Sequence, residues 1–484
     1  MLLTVDIGTS VFKSAVWDLE GNRVAFSARP LSISLSDGTR HETDSGRWLV
    51  AFAECCRELG EAVPPSAIEV VVVCGNGPSI APALGTPSLD GAAFGESVPA
   101  APARLWLDRR AAQAAEIVSR AAGGFVDAGF FLPKALDIKN REPELYKMTR
   151  VFLGCPELLA YALTGEARTV FPSDGLELWF WTDELLARLG LDAEKFPPFV
   201  RAGEAFGELA PSVAAAFGFR PRIPVVCGGS DFVAAILGAG VVRPGQACNR
   251  SGTSDGINVC TLAKVADGRL MSYGHPVKPF WNLSGIVSTT GKAIEWAAGL
   301  LGVESYGDFF ALARSARPGA GGVVFLPYLA GERAPVWDPE ARGVLCGLGL
   351  SAGRAELARA TLEGVNFAVR DIVEIMEEAG AAVDELRVAG AAAGNDLLSQ
   401  IKADITGKPV IAPAQLETEL LGLAAIGACA LGAHASFAEA ATAFARAGRT
   451  FTPCAQVARM YAETFEKYRR MRNGGAASQL AARA

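Results

Sequence analysis

The sequence predicts an α/β protein made of two lobes of related design, on three observations. Half of the 484 residues are hydrophobic and 53 are glycine, enough to fill more than one ordinary core and to turn tightly between elements. Strand-like runs such as EVVVVCGNG, IPVVCGG and GGVVFLPYL alternate with helical patterns such as SGRWLVAFAECCRELGEAV and ELARATLEGVNFAVRDIVEIMEEAG. A strand, a Gly-Thr-Ser turn and a second strand occur together twice, at Gly8 and at Gly252, half a chain apart.

The first thirty residues read as strand LLTVD, turn IGTS, strand FKSAVWD, hairpin signal LEGN and strand RVAFSA. Glycine in such a turn lets backbone N–H groups approach an anion, and the hydroxyls of Thr9 and Ser10 add donors, so Gly8, Thr9 and Ser10 are candidate phosphate ligands. Asp6 ends the first strand, where a carboxylate can organise Mg²⁺, directly or through water. Lys13 lies just beyond and can offset phosphate charge. An Asx-type turn with an exposed lysine is the plainer alternative.

Pro244 and the glycines from Gly240 to Gly245 interrupt the pattern, placing the lobe boundary there, with 1–242 and 243–484 as the two domains. Just before it, Asp231 closes IPVVCGGSD and opens the helical stretch FVAAILGAG. A helix cap and a general base at the carboxyl end of a strand are both open readings of Asp231. The second Gly-Thr-Ser follows at 252–254, and GAAAGND at 390–396 joins strand LRVA to helix LLSQIKADITG in a way that lets a nucleotide lie against backbone. Neither a G-x-G-x-x-G nor a G-x-x-x-x-G-K-[ST] is present. The tail 473–484 is expected to fray.

Composition narrows the function. A formal net charge of −7 is a poor match to a phosphate backbone, so nucleic acid is not an expected partner. The ten cysteines form no Cys-x-x-Cys pair and read as buried small hydrophobes in a reducing cytoplasm. Three histidines, His41, His275 and His434, offer no zinc-ligand or Ser-His-Asp spacing. The N-terminus carries no basic leader, and the longest apolar run, 420–433, falls short of the ~20 residues needed to span a bilayer. It reads as a buried helix, and a cytoplasmic protein without membrane contact is expected.

Taken in order, DIGTSVFK (6–13), HETDSGRW (41–48), WLDRR (106–110), Leu163-Thr164-Gly165, GGSD (228–231), SGTS (251–254), GERAPVWDPEARGVLCGL (331–348) and the 390–410 segment ending ADITGKP resemble the FGGY carbohydrate kinases. That resemblance implies two actin-like, ribonuclease-H-like lobes around a central ATP/sugar cleft, the N-terminal lobe binding sugar and the C-terminal lobe binding ATP. It implies ATP-dependent phosphorylation of a hydroxyl of a small sugar, ketose or polyol, with Mg²⁺. Asp231 matches the family's catalytic base and Asp6 its Mg²⁺-organising aspartate. Gly8, Thr9, Ser10 and Lys13 match its first phosphate motif, and Gly252 and Thr253 its second. Gly291, Gly390 and Asn395 fall at nucleotide-side positions, while Asn76, Trp106 and Asp108 fall on the substrate side. A homodimer is the candidate assembly.

Three departures stand out. Xylulokinases carry Gln-Met-His and glycerol kinase Gln-Arg-Glu after the strand VVVC, where this chain has Asn76-Gly77-Pro78. The usual triple glycine near adenosine is Gly390-Ala391-Ala392. Asp255 places an acid directly after the second Gly-Thr-Ser, without an account from sequence. Glycerol, erythritol and sugar acids such as gluconate are alternative acceptors, and an actin-like ATP-binding switch without kinase activity is the alternative from another class.

Overall fold

The computed structural model describes residues 1–89, 94–171 and 173–474, so the fraying expected over 473–484 lies, beyond Asn473 and Gly474, outside the described residues. The chain divides into two compact units, residues 1–238 with 419–444, and 239–418 with 445–484.

The first unit is built on strands β1 (Leu2–Ile7), β2 (Val11–Trp17), β3 (Arg23–Pro30), β4 (Val70–Gly75), β5 (Ala205–Glu208) and β6 (Pro224–Ser230). They lie in the order β5-β6-β4-β1-β2-β3. β4 runs parallel to both β1 and β6, and the remaining pairings are antiparallel. Every residue of β1 and β4 is buried, as expected of strands covered on both faces. Leu3, Val5, Ile7, Val71 and Val73 share one core with the apolar stripe of helix α1 (Gly46–Ala62), whose Trp48, Phe52, Cys55 and Leu59 recur at helical spacing. Leu2, Thr4 and Asp6, in register with Val70, Val72 and Cys74, point to the other face. Helices α2 (Phe131–Arg141) and α3 (Cys155–Thr164) follow, and α4 (Asp231–Gly238) leaves the end of β6.

The expected division at 242/243 differs from this in two respects: the chain passes to the second unit at 238/239, and a later segment returns to the first. The run read as a buried helix is one, Thr418–Ala430, yet from Glu419 it packs with the first unit. A side chain at Gly427 would meet Val72 of β4, and one at Gly422 would stand 1.9 Å from the Ala234 carbonyl of α4. An all-apolar helix needs cover on every side, and β4 and α4 supply it. None of the helices among the described residues is long and apolar enough to cross a membrane.

The second unit repeats the plan. Its strands are β7 (Gln246–Ser251), β8 (Asp255–Thr261), β9 (Met271–Gly274), β10 (Trp281–Val287), β11 (Glu385–Gly390), β12 (Val410–Pro413) and β13 (Ala447–Phe451). They lie in the order β9-β10-β8-β7-β11-β12-β13, parallel at β7–β11 and β11–β12 and antiparallel elsewhere. Apart from the extra edge strand β9, this is the pattern of the first sheet, so the duplication read from two short turns extends to six strands in each unit. Helices α5 (Gly291–Leu300), α6 (Arg354–Glu378), α7 (Asp396–Thr406) and α8 (Ala455–Asn473) surround it. The stretch GGVVFLPYL contributes only Val324–Leu326, which pairs with Val344–Cys346 outside the main sheet. Seven of the ten cysteines are buried, while Cys346 and Cys454 are exposed.

Candidate active site

In the first unit the Gly-Thr-Ser turn closes the β1–β2 hairpin. The Gly8 N–H donates to the Val11 carbonyl at 3.0 Å, and a Cβ on Gly8 would lie 2.6 Å from that oxygen. Only glycine closes this turn without displacing backbone. The Thr9 hydroxyl accepts from the Trp106 indole N–H at 3.0 Å, which joins two segments assigned to different roles from sequence. Lys13 on β2 stands directly across from Asp6 on β1.

Asp6 and Asp231 sit at the carboxyl ends of parallel strands, on β1 and just after β6, with β4 between them. The Cys74 thiol of β4 donates to Asp6 Oδ1 at 3.5 Å. Burial pushes the Cys74 thiol well up, and Asp6 and then Asp231 add to the effect, so both carboxylates act on one buried atom. Cys155, at the start of α3, is raised in the same way by burial, with Glu157, Asp6 and Asp231 contributing. Both thiols therefore stay protonated. The donors left for a cation are carboxylate oxygens, a set that suits hard Mg²⁺ far better than a thiolate-seeking metal.

The residues expected on the substrate side are more engaged than the sequence suggests. Asn76 Nδ2 donates to the Ile7 carbonyl at 2.9 Å, and its Oδ1 accepts from Ser79 Oγ at 2.7 Å. Asp108 is fully buried. Its Oδ2 accepts from the His41 N–H at 2.9 Å and from Arg110 Nη2 at 2.6 Å, and Arg110 reaches on to Glu42 at 2.5 Å. Burial alone would raise the Asp108 carboxyl, but hydrogen bonds from Arg110 and His41 outweigh it and hold it below its ordinary value. Asp108 thus ties the 41–42 segment to 108–110.

Lys134 of α2 was not singled out from sequence. It is wholly buried, and its Nζ donates to the carbonyls of Pro78 at 2.8 Å and Leu105 at 2.6 Å. Burial pushes its pKa well down. It pins the loop after β4 to the segment carrying Trp106 and Asp108. A charge inside the apolar helix FLPKALDI was the available signal.

In the second unit, Gly252 and Thr253 form the β7–β8 turn, and the start of α5 leans on it. The Gly291 N–H donates to the Gly252 carbonyl at 3.1 Å, while the N–H groups of Thr290 and Lys292 donate to the Thr253 carbonyl at 3.1 and 3.3 Å. A Cβ on Gly291 would stand 2.2 Å from the Gly252 carbonyl. Gly390, at φ +80°, ends β11 where a Cβ would stand 2.3 Å from the Ser251 carbonyl. Both glycines expected on the nucleotide side are therefore demanded by close contact with this one turn. Asn395 caps α7, its Oδ1 accepting from the Leu398 N–H at 3.0 Å.

Two duplicated α/β units, each with a glycine turn at its first hairpin and acidic side chains at the strand ends of the first, define a phosphoryl-transfer fold of the actin-like type. Residues 1–238 match the N-terminal domain of the FGGY family of carbohydrate kinases and residues 247–431 its C-terminal domain, and the chain belongs to this family. It is 29% identical to the xylulose kinase of Escherichia coli over 424 residues, 84% of this chain and 85% of that one. It is 30% identical to the glycerol kinase of Citrifermentans bemidjiense over 477 residues, covering 90% and 92%. The ligand-bound xylulose kinase from Lactobacillus acidophilus superposes with a TM-score of 0.85 at 23% identity, covering 99% of each chain. The protein is an ATP-dependent kinase acting on a hydroxyl of a small sugar or polyol.

Proposed function

We propose that Asp231 is the general base of this kinase and Asp6 the residue that holds Mg²⁺, through water. The single observation behind this is the placement of both carboxylates at the carboxyl ends of β1 and β6, where ligands of parallel sheets bind. Asp231 accepts the hydroxyl proton of the acceptor as its oxygen bonds to the γ-phosphorus and the bond to the β–γ bridging oxygen breaks. MgATP supplies the phosphoryl group and neutralises charge developing on it. Because that transfer is loose, this chain contributes chiefly position and charge, through Lys13, Thr9, Ser10 and the turn at Gly8 in the first unit and through the Gly252-Thr253 turn with Gly291, Gly390 and Asn395 in the second.

The acceptor is a sugar or sugar acid other than D-xylulose or glycerol. Asn76 bonds to Ile7 and Ser79, Gly77 has no side chain, and Pro78 offers only a carbonyl, itself bonded to Lys134. A site that hydrogen-bonds a particular hydroxyl discriminates strongly, and this loop has little left to do so with. Trp106 shapes the pocket, and Asp108 acts by holding that segment. ADP release with D-xylulose, glycerol, erythritol and D-gluconate as acceptors tests the assignment. Turnover is expected on another member of the panel. A kcat/KM on D-xylulose on the order of 10⁵ M⁻¹s⁻¹ or above overturns the acceptor reading.

A further inference from the structure

Asp255, the acid directly behind the second Gly-Thr-Ser, opens β8 and is buried. Its Oδ2 accepts from Asn249 Nδ2 at 3.0 Å and Ser251 Oγ at 2.9 Å, both on β7. Its Oδ1 accepts from Thr290 Oγ1 at 2.5 Å, the residue immediately before α5. Lys402 of α7, equally buried, lies 3.6 Å from Asp255 Oδ2, donates to Asn249 Oδ1 and stands 3.5 Å from Ser251 Oγ. Burial pulls the lysine down, and the Asp255 charge opposes that.

Four elements around the turn are tied into this one network. β7 enters through Asn249 and Ser251, β8 through Asp255, α5 through Thr290 and α7 through Lys402. Thr290 is the same residue whose N–H donates to the Thr253 carbonyl. Its side chain is held by Asp255 and its backbone by the turn, so the acid reaches the turn through Thr290 as well as through Ser251, which directly precedes Gly252. A buried ion pair of this kind adds little net stability over an apolar pair, but losing one member leaves an uncompensated charge. Its value lies in fixing geometry.

We propose that Asp255 and Lys402 are positioning residues for the nucleotide: they hold the Gly252-Thr253 turn against the start of α5 in the one arrangement that binds it. This rests on the reading of that turn as a phosphate site. Neither side chain touches the ligand; they act through Ser251, Asn249 and Thr290.

The test measures KM for ATP, KM for the best acceptor of the panel and kcat in Asp255→Asn, Lys402→Met, the double variant and Thr290→Val, with Thr253→Val as reference. The single variants are expected to raise KM for ATP by on the order of 10-fold while the acceptor KM stays within about 2-fold. The double variant, which leaves no lone charge, should recover part of that loss. Thr290→Val keeps the ion pair, so it carries the test where a charge-removing variant fails to fold, and it is expected to raise KM for ATP alone. If Thr253→Val raises KM for ATP and the network variants do not, the positioning role is overturned and the phosphate site stands. If Thr253→Val itself leaves KM for ATP unchanged, the reading of the turn falls first. Equal rises in both KM values also overturn the proposal, since they mark a general loss of structure.

Discussion

Replacing Gly291 by alanine adds one methyl group at the tightest point of the second turn. The new Cβ would lie 2.2 Å from the Gly252 carbonyl oxygen, against the 3.0 Å below which such contacts essentially do not occur. The start of α5 and the turn must therefore separate by at least ~0.8 Å. Three backbone hydrogen bonds cross that gap, two at 3.1 Å and one at 3.3 Å, and such a separation takes all of them beyond bonding range. At a net value of ~1 kcal/mol each, with water replacing part of what is lost, the turn loses about 2–3 kcal/mol of preference for its present geometry. If that geometry is the one that binds nucleotide, KM for ATP rises roughly 30- to 150-fold, with a smaller effect on the acceptor. The assay is ADP release at saturating acceptor over a range of ATP concentrations, alongside the thermal midpoint with and without ADP. A KM for ATP within about 3-fold of wild type, with the protection by ADP intact, refutes the reasoning.

Other consequences follow from buried groups. Burial pushes the Glu332 carboxyl up to about 7 against the opposing N–H bonds of Ser288 and Arg333, so the folded state keeps a proton that the unfolded chain releases above about 4.5. Stability should fall as pH rises through 4.5 to 7, by up to about 3 kcal/mol, and Glu332→Gln should remove much of that slope in denaturant melts. Glu157 in the first unit, raised to about 7 by burial, acts in the same direction. His275 acts in the opposite direction. Burial holds it neutral down to about 4, so its contribution is complete above 6.5 and lost as pH falls from 6.5 to 4. Lys134→Met leaves the Pro78 and Leu105 carbonyls without their donor, at about 1–3 kcal/mol each. It should lower the denaturation midpoint and raise the acceptor KM with KM for ATP unchanged, and a rise confined to ATP contradicts its placement.

Much of the architecture was legible because it repeats. The two Gly-Thr-Ser turns sit at corresponding hairpins, and the helices read around Trp48, Val365 and Ile401 are present. Asp255 was not legible. Its partners lie partly on its own hairpin, but Lys402 stands 153 residues from the Asn249 it also bonds, and no local pattern encodes such a pairing. The assignment of 419–444 to the first unit was missed for a related reason. An apolar run announces burial without saying against what, and only the contacts at Gly422 and Gly427 decide it. Asn76 and Asp108 were placed on the substrate side by resemblance to family motifs, which says nothing of the bonds their side chains make within the fold. The bonds to Ile7, Ser79, His41 and Arg110 form only once the strands are in register.

The central claim is that Asp231 takes the proton from the acceptor hydroxyl. Asp231→Asn keeps the size and shape of the side chain at the start of α4 and removes its basicity. Steady-state ADP release, with the best acceptor of the panel at saturation, should show kcat lowered by roughly 10²-fold or more with KM for ATP unchanged. Turnover within a few-fold of wild type would leave Asp231 as the first residue of a helix and the kinase without its base.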